Sequence, residues 1–336
     1  MVEKRATSYD VARLAGVSQS AVSRVFSPSG SASKKTREKV LAAARELGFA
    51  PNPIAKSLSL GRSQLAGLVV TQYAQQNYPV ALKSAVDVMT ETGDSLLIQL
   101  VDSSDQGDDA VAQLLTRRVD IILAAASLSH ATARACVVAG VPLVLINREP
   151  PCDGVDCVSS PNAKIMSEVA RLIQRGGATR PAFLSGGESN WVSRERHRGF
   201  AQACRDVGIE DPIKMDDEFN YDGGRAAASR LNVQAEGIDA IVAANDAMAI
   251  GAMDVLRSEL GLSVPDDIQV VGHDDIEAGR FRSYQLTTVR QDMRAMFAKA
   301  IELAFDRREN PNREDKRVTI PNELIERQST GTSTAG

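Results

Sequence analysis

From residue 65 onward, short runs rich in Val, Ile, Leu and Ala alternate with segments of helical periodicity, and this alternation leaves the chain few possible folds. The runs are 65–70, 95–101, 121–126, 142–146, 181–185, 240–243 and 268–271. Strands separated by helices pair in parallel, with helices over both faces of the sheet. The 336-residue chain leaves about 270 residues for this region, more than one such sheet usually takes, so two similar lobes with a cleft between them fit better. Ligands in open α/β sheets bind outside the carboxyl ends of the strands, which directs attention to that cleft. The longest apolar runs, such as 121–126, span about six residues against the roughly 20 of a membrane helix, so no membrane association is expected.

The first 50 residues have a different character. In TSYDVARLAGVSQSAVSRVF, residues 7–26, Thr7 and Asp10 have capping-box spacing, and Val11, Ala12, Leu14 and Ala15 give a first helix its buried face. Gly16 ends that helix, Ser18 caps the next, and Val22 and Val25 turn inward. So short a turn predicts a helix-turn-helix. A third helix over 34–47 carries Val40, Leu41, Ala44 and Leu47 and ends at Gly48. In PNPIAKSLSLGRS, residues 51–63, Asn52 can cap a helix of about eight residues with Pro53 at its first position. A helix that short is marginal without packing partners.

Charge divides the chain in the same place. Residues 1–63 carry eleven Lys and Arg against four Asp and Glu, while the whole chain has a net charge of −4. A basic head on an acidic body suggests that the head meets a polyanion and the body does not. The four cysteines, Cys136, Cys152, Cys157 and Cys204, lack Cys-x-x-Cys or metal-ligand spacing, so free thiols and no metal site are expected. No apolar secretory segment opens the sequence, which favours a cytoplasmic location. Beyond a polar tail at 329–336 there is no low-complexity tract.

The helix-turn-helix stretch, KKTREKVLAAARELGFAPN at 34–52, VAANDAMAIGAMDVL at 242–256, VPDDIQVVGHDD at 264–275 and LTTVRQD at 286–292 occur in the order in which similar segments occur in the LacI family of transcription regulators, and the chain resembles that family over nearly its whole length. The resemblance implies a helix-turn-helix DNA-binding domain at 1–50 and a hinge helix and linker at 51–63. It further implies an effector-binding and dimerisation core at 64–336, similar to periplasmic binding proteins. The lobes of that core are expected at roughly 64–160 plus 291–320 and 161–290 plus 321–330. The fold class is thus α/β, a small all-α head joined to a two-lobed core of parallel sheets wound with helices.

A helix-turn-helix sets the start of its second helix against base edges in the major groove. By resemblance Gln19, Ser20 and Arg24 take the base-contacting positions. Gln can read adenine, while Arg can read guanine or hold phosphate. Thr7, Ser8, Ser18, Lys34, Lys35, Thr36 and Arg37 stand at helix starts, where they either bind phosphate or only cap. Asn52, Ala55 and Leu58 complete the DNA-binding set, Leu58 matching the leucine that the family's hinge helices wedge into the minor groove.

The effector residues implied are Tyr78, Asn147, Trp191, Arg196, Asn245, Asp246 and Asp274. Guanidinium, amide and carboxylate groups around a cleft can chelate vicinal hydroxyls, which is sugar chemistry. Arg196 and Asp274 read equally as a buried ion pair with no ligand, and Trp191, in a loop, as a stacking platform or as packing. Asn147 and Arg148 align with an Asp-Arg pair of the family, so an amide replaces one carboxylate, and His273 replaces an aromatic.

An enzyme would need a nucleophile with its base, a metal cluster or a phosphate loop; the chain has three histidines, His130, His197 and His273, and no such motif. A transported-sugar binding protein would lack the basic head. The expectation is therefore a regulator, without cofactor, that binds double-stranded pseudo-palindromic operator DNA as a homodimer under control of a small sugar or sugar derivative. Repression is favoured, with activation open at a given promoter.

Overall fold

The computed structural model describes residues 6–26, 31–50, 62–71, 78–101 and 106–331. The chain divides into two compact units, Met1–Gln64 and Leu65–Gly336.

In the first unit, α1 (Ser8–Ala15), α2 (Gln19–Phe26) and α3 (Lys34–Glu46) pack on one another. None is long enough to persist alone; they share a core of Val11, Ala15, Val22, Val25, Val40 and Ala44, with Phe26 edge-on to Phe49. Thr7 and Asp10 close a capping box, and Gly16 takes the left-handed conformation at φ +65° that stops α1. Leu14, Leu41 and Leu47, expected inside, are at least a third exposed. Each lies one position beside the buried stripe, and a three-helix core this small admits only the central stripe of each helix.

The second unit contains a six-stranded sheet and a four-stranded sheet, each parallel throughout. The six-stranded sheet runs β11-β5-β4-β3-β1-β2, from β1 (Leu65–Thr71), β2 (Ser95–Val101), β3 (Ile121–Ala124), β4 (Leu143–Ile146), β5 (Asp156–Ser159) and β11 (Arg317–Thr319). The other runs β7-β6-β8-β9, from β6 (Pro181–Ser185), β7 (Ile213–Asp216), β8 (Ala240–Ala243) and β9 (Gln269–Val271). Strands β3, β4, β6 and β8 are buried along their whole length, as helix-covered parallel strands must be. Two connecting segments, β10 (Thr288–Gln291) and β12 (Asn322–Ile325), form an antiparallel ribbon. Between them the chain makes α12 (Met293–Glu309), which packs on the six-stranded sheet, and then β11.

The other helices of this unit include α4 (Tyr78–Thr92), α7 (Met166–Arg175), α8 (Trp191–Val207) and α11 (Asp246–Ser258). Strands β5, β7, β10, β11 and β12 went unread in the sequence because they are short and carry Asp, Lys, Arg or Glu. The polar tail needs a correction at its start. Ser329 and Thr330 are buried; Ser329 N–H and hydroxyl bond Gln285 and Val270, and Thr330 meets Thr287. Their polarity is consumed in docking the chain against β9, a pairing that residue type alone does not reveal. Among the described residues no helix is long and apolar enough to cross a membrane.

Candidate functional site

In the head, the start of α2 projects exposed Gln19 and Ser20, and Arg24 follows one turn on. Their hydrogen bonds are local and solvent-facing: Gln19 Nε2 to Ser8 Oγ at 3.4 Å, Ser20 Oγ with Ser18 Oγ at 2.9 Å, Arg24 Nε to Ser20 O at 3.3 Å. Such weak contacts leave these groups able to exchange partners. Thr7 and Ser18 serve as caps, accepting from the Asp10 and Ala21 amides. Lys34 and Lys35 are exposed at the start of α3, which Ser33 caps through the Thr36 amide. Arg37 reaches back to Val25 O. Asn52, Ala55 and Leu58 lie outside the described residues.

In the core, residues that follow strands of both sheets converge. Asn147 follows β4, Ser160 and Asn162 follow β5, Asp274 follows β9, and Gln291 ends β10. Gln291 joins them: its Oε1 accepts from Asn147 Nδ2 and Ser160 Oγ, both at 2.8 Å, while its Nε2 donates to Asp274 Oδ1 at 2.6 Å. Asn147 Oδ1 accepts from the Ser160 amide at 3.0 Å. Arg196, on α8 and 2% exposed, donates from Nε to Asn162 Oδ1 at 2.9 Å and from Nη1 to Ala244 O at 2.5 Å. Asp274 Oδ1 stands 3.7 Å from that Nη1, an ion pair without a close hydrogen bond.

Local sequence makes this convergence possible. Gly199 lies one turn after Arg196, and a Cβ there would come within 2.5 Å of the Ala163 backbone. Only glycine lets α8 approach the 162–163 segment closely enough for Arg196 to meet Asn162. Asn147, Asp274 and Asp275 have positive φ of 51°, 123° and 56°. Such backbone strain collects where the surrounding structure fixes side chains for a purpose.

Burial governs the electrostatics. It lowers the Arg196 pKa, with Asp274 and Asp246 opposing. Burial and then Arg196 depress the His273 imidazole to about 4, so it is neutral near pH 7. Arg148, half-buried beside this group, is lowered to about 10 by burial and then by Arg196. Two buried side-chain atoms in the cluster, Asn162 Nδ2 and His273 Nε2, have no hydrogen-bond partner among the described residues. Buried polar atoms are rarely left this way without a reason.

Asn245 and Asp246, by contrast, are committed to the fold. Asn245 caps α11 by accepting from the Met248 amide and donates to Phe219 O. Asp246 accepts from Thr288 Oγ1 and the Ile276 amide, and burial, with Asp274 adding to it, pushes its carboxyl up to about 7. Trp191 is the first residue of α8 rather than part of a loop, because Asn190 caps the helix there. Tyr78 opens α4, and its side chain lies outside the described residues. Sequence reasoning passed over Ser160, Asn162 and Gln291 as site residues. Their signal is position at or shortly beyond a strand's end, which is visible only once β5 and β10 are known.

Residues 7–52 match the family model for bacterial regulatory proteins, lacI family, and residues 169–330 match that for a periplasmic binding protein-like domain. The ribose operon repressor of Escherichia coli (strain K12) is 31% identical over 331 residues, 96% of this chain and 99% of that protein. The Lac repressor dimer bound to operator and the anti-inducer ONPF is 29% identical, with a TM-score of 0.82 over 97% of this chain and 99% of that one. The transcriptional regulator CelR–cellobiose complex is also 29% identical, with a TM-score of 0.72 over 97% of this chain and 100% of that one. The chain belongs to the lacI family of bacterial regulatory proteins. It is a DNA-binding transcriptional regulator of that family, whose relatives are repressors and regulators of transcription rather than enzymes.

Proposed function

We propose that the protein is a cytoplasmic homodimer whose heads, residues 1–50, grip a pseudo-palindromic operator, and whose core, residues 64–336, releases it when a sugar-like effector binds between the lobes. The observation that carries the reading is the cluster around Arg196. It draws residues from beyond strands of both sheets and keeps two buried polar atoms that find no partner among the described residues. An effector satisfying those atoms holds the lobes in one orientation, and a hinge helix at 51–63, marginal alone, converts that orientation into helix or coil. Gln19, Ser20 and Arg24 read bases, Thr7, Ser8, Ser18, Lys34, Lys35 and Thr36 hold backbone phosphates, and Asn52, Ala55 and Leu58 engage the operator centre. Asn147, Arg196 and Asp274 contact the effector, with Tyr78 and Trp191 at its edge and Asn245 and Asp246 supporting it from behind.

Two sets of experiments test this. A thermal-shift screen of sugars, polyols and nucleosides identifies a ligand, and operator titrations with it are then made on wild type and Arg196→Ala. Operator binding that the ligand weakens in wild type and leaves unaltered in Arg196→Ala is the expected result; an unchanged ligand response in the variant removes Arg196 from the site. In the head, Gln19→Ala is expected to cost about 1–3 kcal/mol at one base pair and relax preference there. Equal loss on every operator sequence shows instead that Gln19 touches only phosphate.

A further inference from the structure

Charge in the cleft does not balance. Arg148 donates to Asn147 O at 2.7 Å and has no carboxylate partner among the described residues. Arg196 spends its short hydrogen bonds on two neutral oxygens, those of Asn162 and Ala244. Among the described residues, one unclamped carboxylate, Asp274, stands against these two guanidinium groups, and it accepts its shortest hydrogen bond from Gln291. Asp246 balances them only in part, since both of its oxygens are taken and its buried carboxyl, pushed up to about 7, is only partly ionised near pH 7. The position that would restore balance is 147, at the end of β4 beside Arg148, and it holds an amide bonded to Gln291 and Ser160. Partly buried cations without a counter-charge are costly, and a bound anion removes that cost.

We infer that the effector is a polyhydroxylated anion, a sugar derivative bearing a carboxylate or phosphate group that sits against Arg148 and Arg196. The inference rests on reading this cleft as the effector site. The unpartnered atoms suit the remainder of such a molecule. Asn162 Nδ2 is a donor. His273 Nδ1 lies 3.2 Å from Asp274 Oδ1, and the neutral tautomer that donates there leaves Nε2 a lone pair for a hydroxyl proton. The cleft thus offers two cations, a free donor and a free acceptor, a set that a neutral sugar fills only in part.

The test is a thermal-shift and operator-release series on the full chain with matched compounds: glucose, gluconate, glucuronate and glucose 6-phosphate; ribose, ribonate and ribose 5-phosphate; and inorganic phosphate alone, all at fixed ionic strength. Wild type is expected to show saturable stabilisation by anionic compounds, with Tm rising about 5 °C at a hundredfold excess over Kd. The carboxylate and phosphate arms distinguish the two sources of charge. Asn147→Asp, which returns a carboxylate beside Arg148, is expected to weaken the anion by about tenfold or more, and Arg148→Met does the same by a second route. A cooperative melt of each variant without ligand shows that it is folded. Stabilisation and operator release by neutral sugars alone, or an anion affinity unmoved in both variants, overturns the inference while leaving the effector site in place. A flat response to every compound overturns both.

Discussion

Adjacent carboxylates, Asp274 and Asp275, sit in two clusters built from the same residue types, and they have opposite characters. Asp275 is clamped: Oδ1 accepts from Arg327 Nη2 at 2.5 Å, and Oδ2 from Arg290 Nε at 2.7 Å and Arg280 Nη2 at 2.8 Å. Burial alone would raise its pKa, but those three hydrogen bonds outweigh burial and hold the carboxyl below its usual range. One neighbour away, Asp274 meets Arg196 only at 3.7 Å, and the surrounding cluster retains atoms with no partner among the described residues. A saturated charge cluster ties strands together; an unsaturated one is held in readiness for something else. The clamp joins β10 to the segments on either side of it, which steadies Gln291 at the end of β10, and Gln291 is the hub of the open cluster.

If the clamp is structural, its loss has the larger effect on stability. Asp275→Ala leaves three guanidinium groups facing an apolar methyl, one of them, Arg327, largely buried. The expected cost is about 3–5 kcal/mol in denaturant unfolding of the core, toward the lower end because Arg280 and Arg290 can turn to solvent. Arg196→Met removes a cation from the open cluster, takes the donor from Ala244 O and leaves Asn162 Oδ1 only its 3.4 Å contact from Ser160 Oγ, for about 1–3 kcal/mol, since Asp274 is near enough to the surface to hydrate. Equal losses in the two variants would erase the distinction and make Arg196 and Asp274 a second structural pair.

That distinction was only half legible in the sequence. Periodicity announced the helical head and most central strands, because β3, β4, β6 and β8 are continuous apolar runs with one possible environment. It said nothing of β11, whose Arg317 and Thr319 lie exposed on an edge strand. In the site, Arg196 and Asp274 were legible from the motifs that carry them, yet which oxygen each group meets is settled by backbone geometry. Asn245 and Asp246 show the consequence: the resemblance implies effector contacts for both, while the bonds they make within the fold, one capping a helix and the other accepting two buried hydrogen bonds, come from the backbone around them. Gln291 was written in LTTVRQD without any sign that it would bridge both sheets. Its contacts with Asn147 and Asp274 depend on the chain crossing between the sheets at β10, a property of topology rather than of local pattern.

The finest test of the comparison is pH, where the two kinds of buried carboxyl give slopes of opposite sign. Asp275 has its pKa depressed by folding, so it is ionised in the folded state at pH values where the unfolded chain has begun to bind a proton. Its contribution is complete above the unfolded value of about 3.9 and is lost as pH falls below it, toward the folded pKa. Asp246 is raised to about 7, chiefly by burial and next by Asp274. Between about 4 and 7 the folded Asp246 therefore holds a proton that the unfolded chain has released, which lowers stability as pH rises by at most about 1.4 kcal/mol per pH unit, while His273, neutral in the fold down to about 4 and protonated in the unfolded chain below about 6.5, offsets that decline over most of the window. Asp246→Asn keeps an oxygen for the Ile276 amide and an amine for Thr288 Oγ1, so it is expected to fold and to leave the His273 contribution unopposed, with stability rising with pH between about 4 and 6.5 relative to wild type. Asp275→Asn is expected to leave the profile between pH 4 and 7 unaltered and to make the acid limb below pH 4 shallower, where Asp156, also held below its usual range by Arg313 and Arg307, still contributes. Urea unfolding measured in half-unit steps from pH 3 to 8 separates the two, and a profile between pH 4 and 7 that Asp246→Asn leaves unchanged shows that Asp246 does not titrate there.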